Sequence, residues 1–328
     1  MKRLPLHDGW TLRATGGPVP ESVAAGPIPA QVPGTAHTDL LTAGLISDPY
    51  LDSNETDLVW AHRASWSYST TVGIAPPLEG ERVDLVCEGL DTVAEITLGD
   101  LVVGSTRNQH RTHRFDVSGA VAACGGGDMA LTVAFRSALE AGEEEAARIG
   151  ARPGAYDHPV NMVRKMACSF GWDWGPDLQT AGIWRPIGLE RWRTARIQSV
   201  RPLVTIDDAG AAHVAVHVDV ERSGLEAATD VAVTARLGDI TVSGVVPADH
   251  SSTVLGIVVQ TPQLWWPRGY GDQPLHDLTV GLGGDVELDS WHRRIGLRTV
   301  GLDTSDDEGG TAFTIIINGV PVFVKGAN

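Results

Sequence analysis

The 328-residue chain has 25 basic and 41 acidic residues, a formal net charge of −16, with 42% hydrophobic and 20% charged residues. Such acidity argues against nucleic acid or an anionic membrane surface as partner, and no apolar run approaches the ~18 residues of a membrane helix. Length predicts about two domains and part of a third.

In chain order, Val32-Pro33-Gly34 leads into Thr35 to Leu41, read as a short helix with Thr35 or Thr38 as N-cap. Ser65 to Val72 alternates large or β-branched residues with small polar ones, the pattern of a half-buried strand. Thr92 to Leu98 and Leu101 to Val103 flank Gly99-Asp100, a two-residue hairpin turn, and Arg111 to Val117 and Met129 to Phe135 are two further strands. Ser137-Ala138-Leu139-Glu140 has capping-box spacing and opens a helix through Glu143 to Arg148, whose charges form a solvated face.

From about Ile197 strands recur at short spacing: Val200 to Ile206, His213 to Val220, Val231 to Leu237, Ile240 to Val246, Thr253 to Val259, Leu275 to Leu282 and Val286 to His292. This rhythm predicts an immunoglobulin-like sandwich without the Cys-Trp-Cys core. After a polar turn at Asp303 to Gly310, Phe313 to Ile317 and Val320 to Lys325 read as a type I′ hairpin around Asn318-Gly319. The second of these strands reads as fully buried. Since Gly326-Ala327-Asn328 follows it directly, the chain is expected to be cut at the start of a further domain.

The composition also contains 38 glycines, 19 prolines and ten tryptophans, against four tyrosines and five phenylalanines. Cys87, Cys124 and Cys168 are widely spaced without a CxxC, so neither a disulfide framework nor a zinc ribbon is expected. The N-terminus has a basic start but no apolar h-region, and the cytoplasm is the expected location.

The densest chemical signal is Ser169-Phe170-Gly171-Trp172-Asp173-Trp174-Gly175-Pro176. Flanking glycines and a proline make it a loop or strand end. Two indoles around one carboxylate suit sugar recognition, since an indole covers the C–H face of a pyranose and a carboxylate accepts hydroxyls. The alternative is a Trp-rich core loop whose Asp173 caps backbone N–H groups.

His110 and His113 would point to opposite faces of a strand, and His213 and His217 would stand ~13 Å apart, so no metal site is expected from either pair. Nucleotide and serine-hydrolase motifs are absent, and no cofactor is expected. Asn54-Glu55 has the dipeptide form of a glycosidase acid, but it sits in the polar run Asp52 to Asp57 without rigid support, so Glu55 is read as a loop residue. Gln263-Leu264-Trp265-Trp266-Pro267 is read as packing, plugging a seam between domains.

Six segments occur together in an order that resembles the β-mannosidases of glycoside hydrolase family 2. They are Val32-Pro33-Gly34-Thr35-x-His37-Thr38-Asp39-Leu40-Leu41, Phe170 to Pro176, Gly182-Ile183-Trp184-Arg185-Pro186, Trp265-Trp266-Pro267-x-Gly269-Tyr270-Gly271, Gly296 to Val300, and Asn318-Gly319-x-Pro321-x-Phe323-x-Lys325-Gly326-Ala327-Asn328. The resemblance implies a mainly β chain: a jelly-roll, galactose-binding-like β-sandwich over 1–195, an immunoglobulin-like β-sandwich over 196–300, and over 301–328 a hairpin and first strand leading into an absent (β/α)8 barrel.

By the same resemblance, the parent is a retaining exo-β-mannosidase acting on β-mannoside oligosaccharides or glycoconjugates. Its catalytic glutamates lie on later barrel strands, so none is assigned here. Trp172 and Asp173 resemble loop residues that hold the non-reducing mannose across from the barrel, the chain's implied partner. Trp174 is the third substrate-binding candidate, expected to turn back toward its domain. The competing readings are a free-standing, non-catalytic carbohydrate-binding sandwich and a scaffold whose tryptophans all pack.

Overall fold

A computed structural model describes residues 1–154, 157–224 and 228–326, with residue 307 described by its backbone alone. The chain divides into two compact units, Lys2–Arg191 and Trp192–Asn328 together with Met1. Among the described residues no helix is long and apolar enough to cross a membrane.

In the first unit a six-stranded sheet runs in the order Ile28–Pro29, Thr11–Gly16, Ser65–Ile74, Gly127–Arg136, Val93–Leu98, Leu101–Arg107. A four-stranded sheet runs Lys2–Pro5, Ile187–Trp192, Arg82–Cys87, His113–Asp116. Inward residues of both sheets form one core: Leu12, Trp66, Tyr68, Ile96, Leu131, Val133 and Phe135 from the larger, Val83, Leu85 and Ile187 from the smaller. The period-2 alternation of Ser65–Ile74 puts Trp66 and Tyr68 inside, where Tyr68 meets the edge of Phe135 at 5.8 Å between ring centroids. This is the jelly-roll-type sandwich that the family resemblance implies.

The helices are capped as their sequences suggest. Ala36–Thr42 starts at Thr35, whose Oγ1 accepts from Thr38 N–H while Thr38 Oγ1 accepts from Thr35 N–H. Ala138–Ile149 starts at Ser137, whose Oγ accepts from Glu140 N–H at 3.1 Å.

The strand expected over Arg111 to Val117 is only His113–Asp116, because Asn108 Oδ1 accepts from His110 N–H and turns the chain just before it. The strand after Gly99-Asp100 runs on to Arg107 rather than ending at Val103. The polar run around Glu55 is no open loop but enters a 3-10 helical stretch, Asn54–Arg63.

The second unit contains a three-stranded sheet, Thr194–Ile206, Ala212–Ser223, Ser252–Val259, and a four-stranded sheet, Ile240–Val246, Val231–Leu237, His276–Leu282, Asp289–Ile295. Val214, Val216, Val218 and Val220 of one sheet and Val233, Ala235, Leu278 and Val280 of the other share a core, giving the expected immunoglobulin-like sandwich. The last strand starts at Asp289 rather than Val286, since Leu288 N–H donates back to Leu282 O and the residues between make the connection.

Val300–Asp303, Thr314–Ile317 and Val320–Val322 form a small sheet whose hairpin turns at Asn318 and Gly319, with φ of 49° and 79°, the positive pair a type I′ turn requires. Asn318 is tied down further: its Oδ1 accepts from Thr299 N–H and its Nδ2 donates to Trp265 O. The final strand stops at Val322 instead of reaching Lys325, because Phe323 N–H leaves the ladder for Tyr270 Oη at 2.8 Å. Nor is it buried: Phe323 is 75% exposed, as no described residue of the unit covers it. Ala327 and Asn328 of the C-terminal motif lie outside the described residues.

Candidate sugar-contact loop

The Trp-Asp-Trp segment stands in the long connection from Ile149 to Ile187 in the first unit. Gly171, at φ +85°, ends a 3-10 turn over Ala167–Phe170 and swings the chain outward. Trp172 N–H donates to Gly175 O and Gly175 N–H to Trp172 O, both at 3.2 Å, so Asp173 and Trp174 form the tip of a two-residue turn. The indoles lie 6.1 Å apart at 55°, with Trp172 45% and Trp174 71% exposed. Asp173 is exposed, and among the described residues its carboxylate has no hydrogen-bond or ion-pair partner. The core-loop alternative therefore does not describe this segment: the indoles are not packed away and Asp173 caps no N–H group. Trp174, expected to turn back into its domain, instead projects further than Trp172.

Behind the tip the connection is pinned by buried polar contacts. Lys165 Nζ donates to both carboxylate oxygens of Asp91, at 2.7 and 2.6 Å, and to Thr180 O at 2.8 Å. Thr180 Oγ1 donates to Asp91 at 2.7 Å, and Thr92 Oγ1 donates to it as well. Burial lowers the Lys165 pKa, opposed by the adjacent Asp91 charge. Asp91 and Gly182 exchange backbone bonds, and a Cβ on Gly182 would lie 2.6 Å from Gly34 O, so only glycine lets the returning chain approach this closely. Gln109 holds the other side: its Oε1 accepts from Met166 N–H at 2.8 Å and its carbonyl from Trp184 Nε1 at 3.1 Å.

Asp177, just past the tip, is the second anchor. Its Oδ2 is 2.9 Å from His158 Nε2, its carbonyl 3.1 Å from His62 Nε2, and its N–H donates to Glu55 Oε2 at 3.2 Å. Glu55 thus supports the loop by accepting a backbone bond. Burial lowers the His62 pKa, against the pull of Asp177, and favours the neutral ring. Deeper still, His37 is pulled down to about 4, chiefly by burial and then by His62 and Lys165. Beside it, Asp39 takes hydrogen bonds from Tyr68 Oη and Gln31 N–H, while burial raises its pKa.

Of the histidines weighed from spacing, His110 sits in a turn, His113 Nε2 lies 3.2 Å from Asn108 O, and His213 Nε2 lies 2.8 Å from Asp207 Oδ2. The trio that does converge, His62, His158 and Asp177, was not legible as a motif, since its members lie on three separated segments. Trp265 and Trp266 have packing partners within their own unit: Arg298 lies over the Trp265 ring at 4.6 Å, and Cβ atoms on Gly296 or Gly271 would collide with these indoles. A groove of about 620 Å³ beside them is lined by Trp265, Tyr270, Arg298, Phe323 and Lys325 among others, and among the described residues its lining holds no carboxylate side chain.

Residues 10–185 match the family description "Glycosyl hydrolase 2 galactose-binding domain-like", and residues 195–298 match "Glycosyl hydrolases family 2". The chain belongs to glycosyl hydrolase family 2. Within this family it is 34% identical over 330 residues to β-mannosidase B of Aspergillus oryzae, covering 98% of this chain and 38% of that one. It is 31% identical to the β-mannosidase of Mus musculus, covering 92% and 36%. A crystal structure of the β-D-mannosidase from Dictyoglomus thermophilum superposes on the whole chain with a TM-score of 0.89 at 31% identity, using 40% of that chain. The chain thus spans less than two fifths of the length of the curated family 2 relatives named here.

Proposed function

We propose that this chain is the N-terminal part of a retaining exo-β-mannosidase that removes terminal non-reducing β-D-mannose. Trp172, Asp173 and Trp174 form one wall of the mannose subsite. The single observation that carries this reading is the tip itself, an exposed carboxylate with no partner among the described residues, set between two exposed indoles on a loop held by buried bonds. Such a tip has unsatisfied acceptor capacity for sugar hydroxyls and apolar faces for sugar C–H groups. Similarity to proteins named β-mannosidase over nearly the whole chain supports mannose as the sugar.

Hydrolysis with retention requires two carboxylates flanking the glycosidic bond, one as nucleophile and one as acid and then base. Asp173 is the only acid between Gly171 and Pro176, which suits a binding role. The hydrolytic glutamates belong, on this reading, to a (β/α)8 barrel that docks against the tip, and β-mannosides are the substrates. The purified 328-residue chain should then show no hydrolysis of p-nitrophenyl β-mannoside, and calorimetry should find only very weak binding of free mannose. Turnover by this polypeptide would overturn the assignment of the glutamates. Submillimolar binding would favour a free-standing carbohydrate-binding protein.

A further inference from the structure

His62, His158 and Asp177 each offer one donor atom, and these atoms lie within 4.8 Å of one another. His158 Nε2 is 2.9 Å from Asp177 Oδ2 and His62 Nε2 is 3.6 Å from Asp177 Oδ1. Four-coordinate zinc with bonds of about 2.0–2.1 Å separates neighbouring donors by about 3.3 Å, so these two distances bracket the required spacing. The two imidazoles stand nearly perpendicular, at 82° with centroids 6.2 Å apart. His62 is buried, whereas the His158 and Asp177 side chains each keep 30% exposure, which leaves an open side for ion entry and for a water as fourth ligand.

We propose that His62, His158 and Asp177 form a binding site for one divalent transition-metal ion of the zinc type. Two imidazoles and one carboxylate are borderline and hard donors, a set that suits Zn²⁺ or Co²⁺ over Ca²⁺ or Mg²⁺. Each ring ligates through Nε2 with its own proton on Nδ1. The hydrogen bond from Asp177 N–H to Glu55 supplies an outer contact that orients the ligand loop.

The consequence is local. The ion joins the stretch Asn54–Arg63 to both ends of the segment from 158 to 177 that carries the Trp-Asp-Trp tip. Loading it restrains that segment without any part in bond cleavage. The site stands independently of sugar contact at Asp173.

The test uses the chain as it is, stripped by chelation and titrated with Co²⁺. The expected result is about one equivalent bound with the strong visible absorption of four-coordinate cobalt, displaced by Zn²⁺. At a hundredfold excess over Kd, the melting temperature of the unit should rise by roughly 5–10 °C. Amide exchange at 172–175 should slow on loading.

His158→Gln keeps an N–H donor toward Asp177 while removing the ligand, and its partly exposed position spares the core. It should melt like the metal-free parent yet bind at least about a hundredfold more weakly. The same variant provides the background of the surface His213–Asp207, His250–Asp249 and His292–Asp277 pairs. Absence of stoichiometric uptake, or uptake unchanged in both His158→Gln and Asp177→Asn, would overturn the site and leave the trio a hydrogen-bonded latch.

Discussion

Lys165 and Asp91 meet almost entirely out of contact with solvent, their side chains 0% and 1% exposed, with Nζ bonded to both carboxylate oxygens. Thr180 joins both partners and belongs to the strap that returns from the Trp-Asp-Trp tip. A buried ion pair is a poor source of net stability, because desolvation offsets the attraction, but a fully hydrogen-bonded one dictates a single arrangement of the chain. Here the two charges define where the connection leaves and rejoins the sandwich, and therefore where the tip stands.

Removing one member of that pair should be far worse than removing both. Lys165→Met leaves Asp91 buried and uncompensated and should cost about 3–5 kcal/mol in urea unfolding. Adding Asp91→Leu to it should recover a large part of that loss. If the single variant unfolds within about 1 kcal/mol of the parent, the pair is not isolated from water as described.

His37 predicts a pH dependence with a definite sign. Its folded pKa, about 4, lies below the ordinary 6.5, so the unfolded chain takes up a proton before the folded one does. The neighbouring groups that act on it are His62 and Lys165, which lower the value, and Asp91, which raises it. Its contribution is intact above pH 6.5 and falls progressively toward pH 4, by up to about 3 kcal/mol. Unfolding free energies of the parent and of His37→Gln, measured from pH 7 to 4, should converge as pH falls. Parallel curves would show that His37 does not titrate as buried.

Ser137 serves two elements at once, accepting from Glu140 N–H at the helix start and donating to the carbonyl of His62. Ser137→Ala loses the cap and leaves a buried carbonyl unmet, an expected cost of about 1–2 kcal/mol. Thermal melts of the two chains decide this, and a change below about 0.5 kcal/mol would mean that solvent replaces both bonds.

For Asp173 the readout is catalysis in a complete β-mannosidase carrying this loop. On the proposed sugar contact, Asp173→Asn keeps the size but removes the charge that would strengthen bonds to sugar hydroxyls, so activity on β-mannosides should fall about tenfold or more. Activity within about twofold of the parent would remove Asp173 from the subsite.

Much of the framework is readable from residue order. Ser65–Ile74 and Ala212–Ser223 alternate because one face of each is buried, and a period of two survives without knowledge of partners. Asn318-Gly319 announces its turn because both positions need positive φ. Where the reading slipped, local competition was the cause: side-chain bonds at Asn108 shortened one strand, and Tyr270 drew Phe323 out of another.

The sequence by itself determined the strand-rich first half and the immunoglobulin-like sandwich and picked out Trp172, Asp173 and Trp174, because alternation, turn residues and a clustered motif are properties of neighbours along the chain; the jelly-roll form of the first half came from family resemblance. Only the tertiary structure decided that Asp173 stands exposed with no partner among the described residues, that Glu55 braces a backbone N–H, that Lys165 finds Asp91 74 positions away, and that His62, His158 and Asp177 converge. Those relations join segments with no shared spacing. For the buried pair the reason is that a charge taken out of water must find its partner wherever the fold brings one near.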